Sequence, residues 1–307
     1  MIEKITYKVP SSDGIHNLAG VVYLPDGERR GYFQIVHGMT EHIGRYDRIM
    51  SDLASLGYIC FGYDNLGHRG TVNDKSELGY IARKKGYDLL AKDVKLFSDA
   101  VMAEYGELPY YLMGHSMGSF IVRLAAEKYV RPTGLLVMGT GGSNPAAGAG
   151  IALTGIIKLF KGGKYISRFV DKIAFGGYNS KFKGDDDYSS KSWLTTDQSI
   201  RNKYLEDDYC TFKFTVSAMQ DLMRLLKYSN RAAWYKKLPG SMPILLLSGA
   251  DDPVGGYGKG IREVEDRLRK AGKCVSCSLY EGGRHEILND FTYDAVKADI
   301  TDFISAK

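Results

Sequence analysis

The 307-residue sequence predicts an α/β fold: a mostly parallel sheet covered by helices on both faces, with a helical cap inserted late in the chain. Three observations predict it. Short apolar runs alternate with helical runs up to residue 138, and again from residue 243 onwards. Between them, residues 140–238 show no strand pattern. A Gly-x-Ser-x-Gly turn at 114–118 joins a strand to a helix, as open parallel sheets require at their functional edge.

The elements follow in order. Residues 5–9 and 18–24 alternate apolar with polar side chains, the pattern of edge or antiparallel strands. Residues 32–36 form a short buried strand ending at His37-Gly38. Helical spacing follows over 46–56, then a strand over 59–62. Residues 86–104 read as a helix whose Leu89, Leu90, Val94, Phe97 and Val101 share one face. Strands at 110–113 and 135–138 flank a helix at 117–129. The rhythm then breaks: 139–150 is a Gly/Ala/Ser/Asn-rich hinge, followed by apolar 151–160 and Lys/Tyr/Phe-rich segments to 238. A strand at 243–248, a helix at 260–271, a strand at 274–280 and a helix at 291–304 complete the sheet. The expected organisation is a core of 1–139 and 239–307 and a cap of 140–238.

Composition narrows the function. With 44% hydrophobic and 25% charged residues, the chain can bury a full core. Its net charge of +5 is mild. Between Lys158 and Lys237 there are 16 Lys/Arg against 9 Asp/Glu, which suits a solvated surface or an anionic lipid surface better than a nucleic-acid patch. The opening Met1-Ile2-Glu3-Lys4-Ile5 lacks the apolar run of a signal peptide, and no stretch approaches a membrane span, so a cytoplasmic chain is expected. Cys60, Cys210, Cys274 and Cys277 are too scattered for a disulfide framework. Cys274 and Cys277 would also point to opposite faces of a strand, which argues against a redox or metal pair.

The chemistry-bearing residues lie just past strand ends. In Gly114-His115-Ser116-Met117-Gly118 the serine occupies the apex of a tight strand-to-helix turn, where a nucleophilic Oγ stands at a helix N-terminus. Asp251 and Asp252 follow the strand at 243–248, and His285 follows the strand at 274–280. The order Ser, Asp, His fits acyl transfer, with His285 as general base and either aspartate as its orienting acid. Backbone N–H groups of Met117 and of Met39, in the loop after strand 32–36, are the expected oxyanion donors. His37 and the turn Asp64–His68 read as structural. His285-Glu286 lacks the second histidine of a zinc helix. Gly255–Gly260 lacks the first Walker glycine and a Ser/Thr after Lys259. No cofactor or metal is therefore expected.

These segments also carry a resemblance. His37-Gly38-Met39-Thr40-Glu41-His42 with Gly44-Arg45-Tyr46, then Asp64 to His68, Gly114 to Gly118, Asp252-Pro253-Val254 and His285 resemble the monoacylglycerol lipase and lysophospholipase branch of the α/β hydrolases, grouped with serine aminopeptidase-type hydrolases. Trp193-Leu194 and Tyr204 to Cys210 are similar to the cap of bacterial members. Asn65-Leu66 and Thr71 depart from the usual pattern without touching the chemistry. The resemblance implies the α/β-hydrolase fold with an eight-stranded sheet and a mobile helical cap, and it favours Asp252 over Asp251 through the following Pro-Val.

The expected activity is a serine carboxylester hydrolase acting through Ser116, Asp252 and His285 on monoacylglycerol or lysophospholipid-type esters. A short-chain or aromatic-acyl esterase is the alternative, with a peptidase or a non-catalytic binding module behind it. The apolar run 151–160 is expected to pack on the core, line an acyl channel or touch lipid.

Overall fold

The computed structural model describes residues 2–306; the first and last residues of the expected core segments lie outside the described residues. The chain runs β1 (Glu3–Pro10), β2 (Asn17–Leu24), β3 (Gly31–Val36), α1 (Asp47–Ser55), β4 (Tyr58–Tyr63), α2 (Gly86–Tyr105), β5 (Tyr110–His115), α3 (Met117–Lys128) and β6 (Gly134–Met138). Five helices follow: α4 (Ala146–Lys161), α5 (Arg168–Phe175), α6 (Gln198–Glu206), α7 (Val216–Ser229) and α8 (Ala232–Lys237). The chain closes with β7 (Ile244–Gly249), α9 (Lys259–Lys270), β8 (Val275–Tyr280) and α10 (Tyr293–Ser305).

The eight strands form one sheet in the order β1-β2-β4-β3-β5-β6-β7-β8. β2 is antiparallel to both β1 and β4, and the pairings from β4 through β8 are parallel. Period-two side chains feed two apolar layers. Tyr32 and Val36 of β3, Ile59 and Phe61 of β4, and Leu112 of β5 face the layer covered by α2, α3, α7 and α9. Phe33, Ile35, Cys60, Tyr111 and Met113 face the layer under α1 and α10. Both faces are dry, which explains why the central strands read as continuous apolar runs.

The strand order reverses at β3: its partner on one side is β4, on the other β5, with Val36 opposite Gly114. Successive crossovers therefore leave to opposite sides, and a crevice opens at the carboxyl ends of β3 and β5. The loops that rise there hold Gly38-Met39 and Ser116.

One element differs from expectation. α4 begins at Ala146, inside the stretch read as a hinge. Gly148 and Gly150 are poor helix formers in isolation, but α4 lies against α7 so closely that a Cβ on Gly150 would stand 2.4 Å from Met223 Sδ. Packing at a helix contact outweighs propensity here. The apolar run that follows divides between faces: Leu153 and Ile157 pack inward, whereas Ile156, Leu159 and Phe160 are exposed.

The two crossings between the sheet and these helices are tied together by the fully buried Arg123 of α3. Its guanidinium donates to Thr140 Oγ1 (3.3 Å) at the first crossing, and to Ser229 O and Asn230 Oδ1 (3.0 Å) at the second. It also lies 4.2 Å from the Trp234 ring centroid. Burial lowers its pKa to about 10, and the carbonyl and amide oxygens around it stand in for a carboxylate.

Candidate active site

Ser116 sits between β5 and α3 with φ 54° and ψ −118°, a strained conformation for a residue with a Cβ. The glycines on either side make this turn possible. A Cβ on Gly118 would lie 2.0 Å from Val36 O, and one on Gly114 would lie 2.3 Å from Gly118 O. The strand and helix can approach each other only without side chains there. Ser116 N donates to Met138 O at 3.0 Å, fixing the turn to the neighbouring strand. Ser116 Oγ has no hydrogen-bond partner among the described residues.

His285 is buried in the loop after β8. Its Nδ1 donates to Asp252 Oδ2 at 3.0 Å, and Asp252 is completely buried. Asp252 Oδ1 also accepts from Val254 N at 2.8 Å, an Asx turn that explains the Pro-Val after it. Asp251, the alternative acid, instead pairs with Lys181. The structure thus brings Asp252, and not Asp251, to His285. Ser116, His285, Met39 and Met117 all line one cavity of about 1350 Å³.

His37 is fully buried: Nδ1 donates to Gly38 O at 2.8 Å and Nε2 accepts from Asn65 N at 2.9 Å. Burial, with His68 nearby, pushes its pKa down to about 3, so it stays a neutral brace between the two loops. Asp64 accepts from Ile43 N (2.9 Å) and Gly70 N (3.0 Å), fitting its reading as a turn residue.

Sequence reasoning passed over a buried polar network beneath this site. Glu41 accepts from Gly38 N, from Tyr46 OH (2.9 Å) and from His115 Nδ1 (3.2 Å). Burial opposes its charge, yet His115 and Arg45 hold its carboxyl well below the ordinary carboxylate value. His115 Nε2 donates to the carbonyl of His285 at 3.1 Å, and the two rings lie 4.7 Å apart. Burial pulls the His115 pKa down, but the hydrogen bond and charge of Glu41, with Glu286, raise it above the usual imidazole value. Arg45 binds Glu286 through two bonds of 2.6 and 2.7 Å. Each member adjoins or lies inside a recognised motif: His115 precedes Ser116, Glu286 follows His285, and Glu41 lies two residues after Met39. That adjacency was the available signal.

The inserted helices close over the site. His285 N donates to Trp193 O (3.3 Å) and Glu286 N to Leu194 O (2.7 Å), while the Trp193 ring lies 5.1 Å from that of His285. Tyr204 OH bonds Thr40 Oγ1 at 2.8 Å. The apolar side of the cavity is built by Phe120, Leu153, Met219, Leu222, Met223 and Leu226.

Among the described residues, His42, Asp207 and Cys210 have potential ligand atoms within 4.8 Å of one another. They do not fit a cation. Arg69 donates to His42 Nδ1 at 2.8 Å, so the ring proton sits on Nε2 and is given to Asp207 at 2.9 Å. Metal binding at Nε2 would force a proton onto Nδ1, against the guanidinium.

A profile of the serine aminopeptidase, S33, family matches residues 27–292. The chain belongs to this family. That places it among the serine hydrolases, and its fold is the α/β-hydrolase fold. The structure of a highly thermostable carboxyl esterase from Bacillus coagulans, solved in complex with glycerol, superposes with a TM-score of 0.92. It is 28% identical, covering 99% of this chain and 98% of that one. A monoacylglycerol lipase of Mycolicibacterium smegmatis is 24% identical over 309 residues, 96% of this chain and 98% of that protein. Mouse monoglyceride lipase is 30% identical over 109 residues, 36% of this chain. That match spans only 33% of the mouse protein. Among the described residues, no helix is long and apolar enough to cross a membrane.

Proposed function

We propose that the chain is a carboxylester hydrolase of the esterase and lipase kind, in which Ser116 is the nucleophile, His285 the general base and Asp252 its orienting acid. The observation that carries this reading is a single cavity holding Ser116 at a strained turn, the Asp252-bound His285, and a wall of Leu and Met side chains. Because the Nδ1–H of His285 stays on the ring and donates a hydrogen bond to Asp252, Nε2 is the unprotonated nitrogen that takes the Ser116 proton as Oγ attacks the ester carbonyl. The N–H groups of Met117 and Met39 donate hydrogen bonds to the developing oxyanion. When the tetrahedral adduct collapses, the carbonyl–alkoxy bond breaks and His285 protonates the departing alcohol. Water then releases the acid from Ser116 through the same base.

The apolar wall suits a medium or long acyl chain, which favours monoacylglycerol or lysophospholipid-type esters over short or aromatic acyl groups. The relative named monoacylglycerol lipase supports the monoacylglycerol member of that class, and the carboxyl esterase supports an ester substrate. In this reading, residues 140–238 act as the cap. Their outer face, where Leu159 is 80% and Phe160 78% exposed beside the exposed Lys161 and Lys164, meets an anionic lipid surface.

The test is the initial rate on p-nitrophenyl esters from acetyl to palmitoyl, wild type beside Ser116→Ala. The variant is expected to lose about a million-fold in kcat, as loss of such a nucleophile typically does. The wild-type optimum is expected at octanoyl or longer. An optimum at acetyl would favour the short-chain alternative, and full activity in Ser116→Ala would overturn the mechanism.

A further inference from the structure

The cavity is unevenly charged. Every carboxylate side chain that lines it is already matched. Glu41 and Glu286 share Arg45, and Glu41 also takes His115. Asp171 pairs with Lys213 at 2.8 Å, and Glu263 accepts from Arg267 at 3.2 Å and from Ser143 N at 3.0 Å. Three lining lysines, Lys183, Lys191 and Lys259, have no carboxylate partner among the described residues. Lys183 and Lys259 are exposed, whereas Lys191 is part-buried.

The position of Lys191 is specific. Its ammonium stands over the Tyr204 ring, 4.8 Å from the centroid. The Tyr204 hydroxyl is bonded to Thr40, the residue after Met39. Two residues along the chain, Trp193 packs against His285. The ammonium therefore belongs to the wall that adjoins the reacting groups, while the apolar wall is built by α3, α4 and α7. Burial lowers the Lys191 pKa; Glu286 and Asp171 act on it in the opposite direction, but each is bonded to another cation. A part-buried ammonium held on an aromatic face without a carboxylate bonded to it is destabilised by desolvation. An arriving anion relieves that cost.

We infer that Lys191 is a specificity-determining residue that receives an anionic group, a phosphate or a carboxylate, on the alcohol portion of the ester, with the acyl chain lying along the apolar wall. This rests on the esterase reading above. It narrows the substrate class to esters whose alcohol is itself negatively charged.

The experiment uses the full chain and octanoyl esters, kept monomeric in solution: 1-octanoylglycerol, its 3-phosphate, and 3-octanoylglycerate. The readout is the ratio of kcat/KM for each anionic ester over the neutral one, in wild type, Lys191→Met and Lys191→Arg. The wild-type ratio is expected at about ten or more for at least one anionic ester. Lys191→Met is expected to cut it about tenfold, mostly through KM, and Lys191→Arg to keep most of it. A fall confined to the phosphate or to the glycerate identifies which anion is bound. A wild-type ratio at or below one, or a ratio that Lys191→Met leaves unmoved, overturns the inference while leaving the esterase reading intact. Failure to hydrolyse even p-nitrophenyl octanoate overturns that reading, and the inference with it.

Discussion

The floor of the cavity comes from loops that leave adjacent parallel strands, whereas its roof comes from helices threaded between β6 and β7. On the floor, backbone geometry decides nearly everything. Ser116 is held at positive φ in a turn that closes only because Gly114 and Gly118 carry no side chains, and His285 is oriented by a fully buried Asp252. On the roof, side-chain packing decides. α4 turns Leu153 toward the cavity and leaves Leu159 and Phe160 outside, and its glycines are accommodated only because α7 lies against them. The floor is thus suited to fixing a reaction, and the roof to choosing what reaches it.

After loss of the nucleophile itself, the largest expected effect tests the floor. Asp252→Asn would keep the hydrogen bond to His285 but favour the wrong imidazole tautomer, with an expected loss of about ten-thousand-fold in kcat. Asp251→Asn removes only a solvent-facing pair with Lys181, a class of interaction contributing about 1 kcal/mol or less, and kcat is expected to stay within about twofold of wild type. Steady-state kinetics on one p-nitrophenyl ester decides between the two. A larger loss from Asp251→Asn would return the acid to the neighbouring position.

That contrast also marks how far the sequence could be read. The elbow was legible because strand, turn and helix are consecutive, so the constraint on Gly114 and Gly118 lies within five residues. Position after β7 left the acid as one of two aspartates, and only the resemblance, through the Pro-Val that follows, favoured Asp252, the residue that the structure brings to His285. The Glu41, Arg45, His115 and Glu286 network was not legible. It joins the segment after β3, the end of β5 and the loop after β8, and adjacency to a motif does not say which distant partner each residue meets. The start of α4 differs for a related reason: the contact that overrides the poor helix propensity of Gly150 comes from Met223, about seventy residues away.

A middle-sized effect belongs to the buried network beneath the floor. The folded-state pKa of His115 is raised, so its contribution to stability is complete below the unfolded imidazole value of about 6.5 and is lost as pH rises through the folded value. Glu41 behaves oppositely: its lowered pKa contributes above the unfolded carboxylate value and is lost in acid. Thermal unfolding of wild type between mildly acidic and alkaline pH should therefore show a midpoint that declines toward alkali. In His115→Gln the decline should flatten, with about 1–3 kcal/mol lost at the acidic end, where the imidazolium is most fully paired. Parallel wild-type and variant curves would mean that His115 is neutral throughout and that its bond to the His285 carbonyl is an uncharged one.

The smallest effect on the folded chain, and the most informative about the roof, comes from the outer face of α4. Leu159 and Phe160 touch so little of the protein that Leu159→Ser with Phe160→Ser should change stability by only about 0.5 kcal/mol. Their value lies elsewhere if the roof meets lipid: burying each side chain in an interface contributes about 1.5–3 kcal/mol, so the double variant should lose at least about a hundredfold in binding to phosphatidylserine-containing vesicles. Lys161→Gln with Lys164→Gln should weaken the same binding by about 1 kcal/mol per charge at low salt, and by less at high salt. Loss in the lysine variant alone would make the contact purely electrostatic and leave the exposed apolar pair without a lipid role. Loss in both, with the apolar variant insensitive to added salt, would make the roof an interfacial element whose inner face meets the acyl chain and whose outer face meets the lipid it came from.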